Sequence, residues 1–268
     1  MCIQKLVKLL HWRIFSFQNF EAWNNLANAY INQGQKARAW KVLQEAVKCD
    51  YNNWKVWDNI LVVSTDCAHY EELIRAYHRL LDLKNGKHVD AEVLDILVQA
   101  IEQNLPDAYD RPSRSFRKSA LSFFGRLSAE NGSEYRIWQL YSRLILAGEN
   151  SEVNEEDFFK AAQMMQKSTA SFMQKEKDWH KSTKEAINGL ELARKYAERC
   201  IEASKVTTNP SQNVQQMSSA KMTIKSMISR VKQSHEETLE DENSDIAKEF
   251  QFVNQSLESL VNQIALLK

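Results

Sequence analysis

The sequence predicts an all-α protein, a helical-repeat solenoid followed by a C-terminal antiparallel helical bundle. Three observations carry that reading. Only six glycines and three prolines occur in 268 residues, too few for the tight turns of an all-β chain. Trp23 and Trp57 lie 34 residues apart, a period at which stacked helix pairs repeat. Near the C-terminus, Ile246, Phe250, Val253, Leu257, Leu260, Ile264 and Leu267 advance in steps of 4 and 3, the seam of a helix that packs along another helix.

Composition narrows the function classes. The 35 basic and 35 acidic residues cancel, which removes the general electrostatic argument for nucleic acid. Mean hydropathy is −0.52, and no apolar run approaches the ~18 residues of a membrane span. The cysteines, Cys2, Cys49, Cys67 and Cys200, are widely and irregularly spaced. They read as free thiols in a reducing compartment rather than as a disulfide framework.

The chain opens on a basic amphipathic stretch. Lys5, Lys8, His11 and Arg13 alternate with Ile3, Leu6, Leu9, Trp12, Ile14 and Phe15, and no acid precedes Glu21. It lacks the long apolar core and small-residue cleavage site of a secretory signal. A membrane-surface helix or a transit peptide is one reading, and a repeat helix packed on its neighbour is the other.

The 34-residue period then organises the next segment. With Trp23 at repeat position 4, Leu26 falls at 7, Ala27 at 8, Tyr30 at 11, Gly34 at 15, Ala39 at 20, Leu43 at 24 and Ala46 at 27. Large rings on the first helix fill the space within the pair. Ala39 and Ala46 let the second helix approach closely, and Gly34 relieves the turn. The second copy follows without insertion: Trp57, Ile60 and Leu61, then Leu73, Tyr77 and Leu80, with Ser64 in place of the Tyr. The clear copies span 20–53 and 54–87, and a third pair begins near His88 with Leu94 and Val98 inward. Residues 1–105 are therefore expected to form the repeat region, with Trp23, Leu26, Tyr30, Ala39, Leu43, Ala46, Trp57 and Tyr77 in its core.

This pattern resembles that of tetratricopeptide repeats. The runs Ala22-Trp-Asn-Asn-Leu26, Leu43-Gln-Glu-Ala-Val-Lys-Cys49, Ala76-Tyr-His-Arg-Leu-Leu-Asp-Leu83, Leu94-x-Ile-Leu-Val98, Phe124-Gly-Arg126 and Ile137-Trp-x-Leu-Tyr141 resemble, more narrowly, the tetratricopeptide repeat protein 27 family. The resemblance runs from about residue 20 to the C-terminus. It implies an intracellular, non-catalytic helical adaptor, cytoplasmic or also nuclear, tied to chaperone-assisted assembly of larger complexes. Members of that family are much longer. The first 20 residues depart from the pattern: the second-helix places 34 before Ala39, Leu43 and Ala46 hold Lys5, Leu9 and Trp12. That departure is read as an alternative start or as part of a longer chain.

Downstream, residues 106–118 form a basic loop. Pro106 and Pro112 forbid a continuous helix, and Arg111, Arg114, Arg117 and Lys118 surround Phe116. A solvated connector is the plain expectation, and a nucleic-acid patch or a phosphorylation segment at Ser113 and Ser115 is the alternative. Residues 119–173 read as a degenerate helix pair in which Trp138, Tyr141 and Ile145 repeat the first-helix signature. Residues 174–268 read as a three-helix bundle, broken at Thr207–Ser211 and by the acidic stretch Glu236–Asp245. Its heptad seam serves either the bundle or a partner helix.

No phosphate-binding glycine loop, dinucleotide fingerprint or paired-histidine metal motif occurs. Cys67 and His69 are the nearest approach to a nucleophile pair. The expectation is a protein without catalytic, cofactor or metal residues.

Function therefore falls to the groove lined by first helices. Repeat positions 2, 5, 9 and 12 face it, here Glu21, Asn24, Asn28 and Ile31, then Lys55, Asp58, Val62 and Thr65, with Asn59 beside them. The leading expectation is a scaffold for other proteins. A structural subunit assembling through the C-terminal heptad helices is second, and an RNA-binding helical repeat third. The groove differs from the two-carboxylate clamp that holds acidic chaperone tails. Asn28 and Asn59 stand at its asparagine places, but its three cation places hold Asn24, Val89 and Val93. No direct binding of an acidic chaperone tail is expected, because desolvated carboxylates need paired charge.

Overall fold

The computed structural model describes residues 20–149, 152–175, 177–241 and 244–267. The expectations for the basic start, Ile3 to Phe15, and for its register at Lys5, Leu9 and Trp12 lie outside the described residues. Among the described residues every regular element is helical, apart from one isolated bridge between Pro106 and Pro112. The chain divides into two compact units, the first ending at Asn131 and the second beginning at Gly132.

The first unit is built from helix pairs. α1 (Phe20–Asn32) packs on α2 (Lys36–Cys49), and α3 (Trp54–Asp66) packs on α4 (Tyr70–Leu83). α5 (Ala91–Gln103) lies beside α3, and α6 (Arg117–Glu130) beside α4. α1 also neighbours α3, so the first helices α1, α3 and α5 stand in a row, as a repeat stack requires. Ala39, Leu43, Ala46, Leu73, Tyr77 and Leu80 are fully buried, and Trp57 is nearly so. The Trp57 indole donates to the Tyr51 carbonyl at 2.8 Å, which satisfies its polar edge while the ring fills the pair. Trp23 and Tyr30 are only half-buried.

The turns show how the second copy departs from the first. Gly34 takes φ +69 between α1 and α2, where left-handed backbone favours glycine. Thirty-four residues on, Ala68 takes φ +55 at the same turn of the second pair. Asn53 caps α3 by accepting from the Lys55 amide. Asp90 caps α5 by accepting from the amides of Glu92 and Val93.

The second unit contains α7 (Tyr135–Leu146), α8 (Glu155–Lys175), α9 (Thr183–Val206), α10 (Pro210–Ser234), the one-turn α11 (Glu236–Leu239) and α12 (Asp245–Leu266). α7 and α8 form a pair closed by hydroxyls, with Ser142 donating to the Ala161 carbonyl and Ser168 to that of Tyr135, both at 2.8 Å. The Trp138 indole donates to the Gly132 carbonyl at 2.8 Å, the device seen at Trp57. Its ring is half-buried beneath Lys167. Phe172 and Met165 of α8 share one core with Trp179, Leu190, Met217, Ile224, Val253 and Leu260. The boundary expected at 173/174 therefore falls inside this unit. Trp179 lies against Gly189, where an added Cβ would meet the indole at 2.5 Å. Along the heptad of α12, Ile246, Val253, Leu260 and Ile264 are buried, while Phe250 and Leu257 are partly covered.

Candidate functional site

The face under test is the row α1, α3, α5. Its residues divide by burial. Glu21 and Lys55 are exposed, Val62 keeps 43% of its surface and Ile96, at the same position on α5, keeps 45%. Asn28, Ile31, Asp58, Asn59 and Thr65 are half-buried. Asn24 is buried, and its side-chain oxygen accepts a 2.8 Å hydrogen bond from the Asn59 amide. These two asparagines therefore join α1 to α3.

Two groups near this face escaped the sequence reading. Lys84, at the end of α4, places Nζ 3.2 Å from Asp58 Oδ1, 3.2 Å from His88 Nδ1 and 4.5 Å above the Trp54 ring. Burial first, and the Lys84 charge second, hold the His88 imidazole below its ordinary pKa. Glu92 and Ile96 of α5 extend the row, and the 34-residue period places them: Glu92 is 34 beyond Asp58 and Ile96 is 34 beyond Val62. At the expected clamp places Val93 is buried and Val89 half-buried.

The segment between α5 and α6 corrects the expectation of a solvated connector. The Asp107 side chain is wholly buried and accepts from the amides of Tyr109 and Arg111 and from Arg111 Nε, each at 2.8 Å. Arg111 also reaches Glu71 at 3.0 Å and lies over the Tyr109 and Phe116 rings. Ser113 is buried and donates to the Ala100 carbonyl at 2.6 Å. The Ala108 amide donates to the Ala68 carbonyl at 3.1 Å, and Phe116 and Arg117 are buried. The loop is folded because its polar groups find partners within its own turn and on α4 and α5. Burial opposes the Asp107 charge, but the amides of Arg111 and Tyr109 and the Arg111 guanidinium outweigh it and hold the carboxyl below the ordinary range.

The Cys67–His69 region has a packing geometry. The His69 ring stacks on Trp40 at 4.6 Å and tilts against Tyr109 at 5.3 Å. Burial lowers the His69 pKa, and burial followed by Asp66 raises that of Cys67. Both shifts favour neutral forms, the opposite of a thiolate–imidazolium pair. Among the described residues no group of three or more His, Cys, Asp or Glu side chains is placed to hold a metal ion, and no helix is long and apolar enough to cross a membrane.

No protein-family model matches the chain. It is 30% identical over 224 residues to "Tetratricopeptide repeat-containing protein trd-1" of Caenorhabditis elegans, a match covering 80% of this chain and 29% of the worm protein. It is 26% identical over 183 residues to "TPR repeat-containing protein C19B12.01" of Schizosaccharomyces pombe, covering 66% of this chain and 21% of that one. The "Tetratricopeptide repeat protein 27 homolog" of Dictyostelium discoideum is 28% identical over 91 residues, 34% of this chain and 11% of its own length. The chain thus spans less than a third of each of these curated relatives.

Proposed function

We propose, for a chain that belongs to the tetratricopeptide-repeat proteins, that it acts as a non-catalytic scaffold which binds other proteins on the face formed by α1, α3 and α5. The observation that carries this reading is the aligned pair Val62 and Ile96. Two aliphatic side chains at one repeat position, on helices that pack side by side, remain 43% and 45% exposed. Single exposed apolar residues are ordinary, but an aligned pair on a row of first helices offers an anchor for a partner.

The alternatives draw less support. An assembly seam on α12 would need its heptad residues, and the buried ones are already engaged with α9 and α10. An RNA surface would draw on Arg111, whose guanidinium is committed to Asp107 and Glu71. A role in chaperone-assisted complex assembly is the finer reading. Without cations at the clamp places, a chaperone link would run through another surface or a bridging partner.

The test is affinity capture from cell extract with the full 268-residue chain. Val62→Ser/Ile96→Ser should lose the specific partners, while Phe252→Ser, on the exposed side of α12, should keep them. Partners kept by the first variant and lost by the second would transfer the function to the C-terminal helices.

A further inference from the structure

The neutral total conceals a segregation of charge within the first unit. The three first helices, α1, α3 and α5, carry six acidic residues (Glu21, Asp58, Asp66, Glu92, Asp95 and Glu102) and one basic residue, Lys55. The three second helices, α2, α4 and α6, carry nine basic and five acidic residues. Four of the six are already engaged: Lys36 pairs with Asp66 at 2.7 Å, Lys84 pairs with Asp58 at 3.2 Å, and Asp95 and Glu102 have partners of their own. Glu21 and Glu92 stay exposed on the face, and Glu92 occupies the repeat position of Asp58, directly preceding the turn that carries Ile96.

We propose that this face takes a basic amphipathic segment of a partner protein, with aliphatic side chains set on Val62 and Ile96 and Lys or Arg side chains directed at the surrounding carboxylates. The proposal rests on the reading of this face as the partner-binding face and adds the chemistry of the occupant. Three physical arguments support it. With Glu21 and Glu92 exposed against Lys55, the first helices raise the local concentration of cationic segments and repel anionic ones. The aliphatic pair supplies the apolar contact that charge alone lacks, so the occupant must be amphipathic. The spacing fits a helix: neighbouring packed helices have axes about 8–10 Å apart, and residues i and i+7 of a bound helix lie about 10.5 Å apart. The asparagine pair acts in the same direction, because the Asn59 amide is spent on Asn24 rather than offered to an anion.

The experiment is calorimetry with the full chain and three synthetic 18-residue peptides: a Leu/Lys amphipathic helix, its Leu/Glu counterpart and a Ser/Lys control. The Leu/Lys peptide should bind more tightly than either of the others by about tenfold, and its binding should weaken with added salt. Glu92→Lys and, separately, Ile96→Ser should each reduce that binding by about tenfold. Both positions are exposed, and Val62→Ser serves in place of either variant that loses its far-ultraviolet helix signal. Met222→Ser, exposed on α10 of the other unit, should change nothing. Equal binding of the Leu/Glu peptide, or Leu/Lys binding indifferent to Glu92→Lys and Ile96→Ser, would overturn the proposal. Should extract partners depend on Val62 and Ile96 while the peptides show no charge preference, the scaffold reading stands and this one fails.

Discussion

Asn59 Nδ2 donates a 2.8 Å hydrogen bond to Asn24 Oδ1, tying position 6 of one first helix to position 5 of the helix before it. In a carboxylate clamp the amide at that place would serve an anionic ligand. Here it stitches two repeats, beside a face whose own helices are acidic.

An acidic C-terminal peptide should therefore show no binding in calorimetry at micromolar concentrations. Each missing charged contact forfeits about 1.5–3 kcal/mol, and three cation places lack Lys or Arg. Micromolar binding that disappears on Asn28→Ala would contradict this.

The two period-defining tryptophans should differ in mutational cost. Trp57 is 5% exposed and hydrogen-bonded, so Trp57→Ala should destabilise by about 3–5 kcal/mol. Trp23 is half-buried, so Trp23→Ala should cost about 1–3 kcal/mol, since less apolar surface leaves water on folding. Urea unfolding of the two variants checks the order, and a larger loss at Trp23 would reverse it.

Those two residues also show what the sequence could reveal. The 34-residue period, the small residues Ala39 and Ala46 and the α12 heptad are local patterns. Each survives into the structure as buried positions on helices. The depth of Trp23 depends on neighbours that periodicity does not specify. The loop at 106–118 was illegible for a related reason. Its arginines and serines look solvated in sequence, yet Arg111 finds Glu71 40 residues away and Ser113 finds the Ala100 carbonyl. On the candidate face, Asn24 and Asn59 were readable as repeat positions but not as partners of one another. Lys84 and Trp54 became part of the face only once α4 was seen to end beside α3.

Ala68→Gly should stabilise the protein by about 0.5–1 kcal/mol. The left-handed backbone at φ +55 strains an alanine Cβ, and glycine keeps the main-chain bonds of Ala68 while removing that strain. Thermal unfolding measures the change, and a lower melting temperature would show that the turn does not hold that conformation.

Asp107 gives the loop a pH dependence of defined sign. Its carboxyl is held below its ordinary value in the fold. Its contribution is present above the unfolded value, about pH 4, and is lost as pH falls through the folded one. Hydrogen exchange at the Tyr109 and Arg111 amides should therefore accelerate below about pH 4 beyond the intrinsic trend. Asp107→Asn should bring that acceleration to neutral pH and cost about 1.5–3 kcal/mol. Amides in the variant as protected as in the parent would place the loop's anchor elsewhere.

Engagement of partners by the first helices is read at the amides by hydrogen–deuterium exchange of the full chain with and without a co-purified partner. New protection should concentrate in 20–32, 54–66 and 91–103, and Val62→Ser/Ile96→Ser should abolish it. Protection confined to 245–266, with those three helices unchanged, would contradict it.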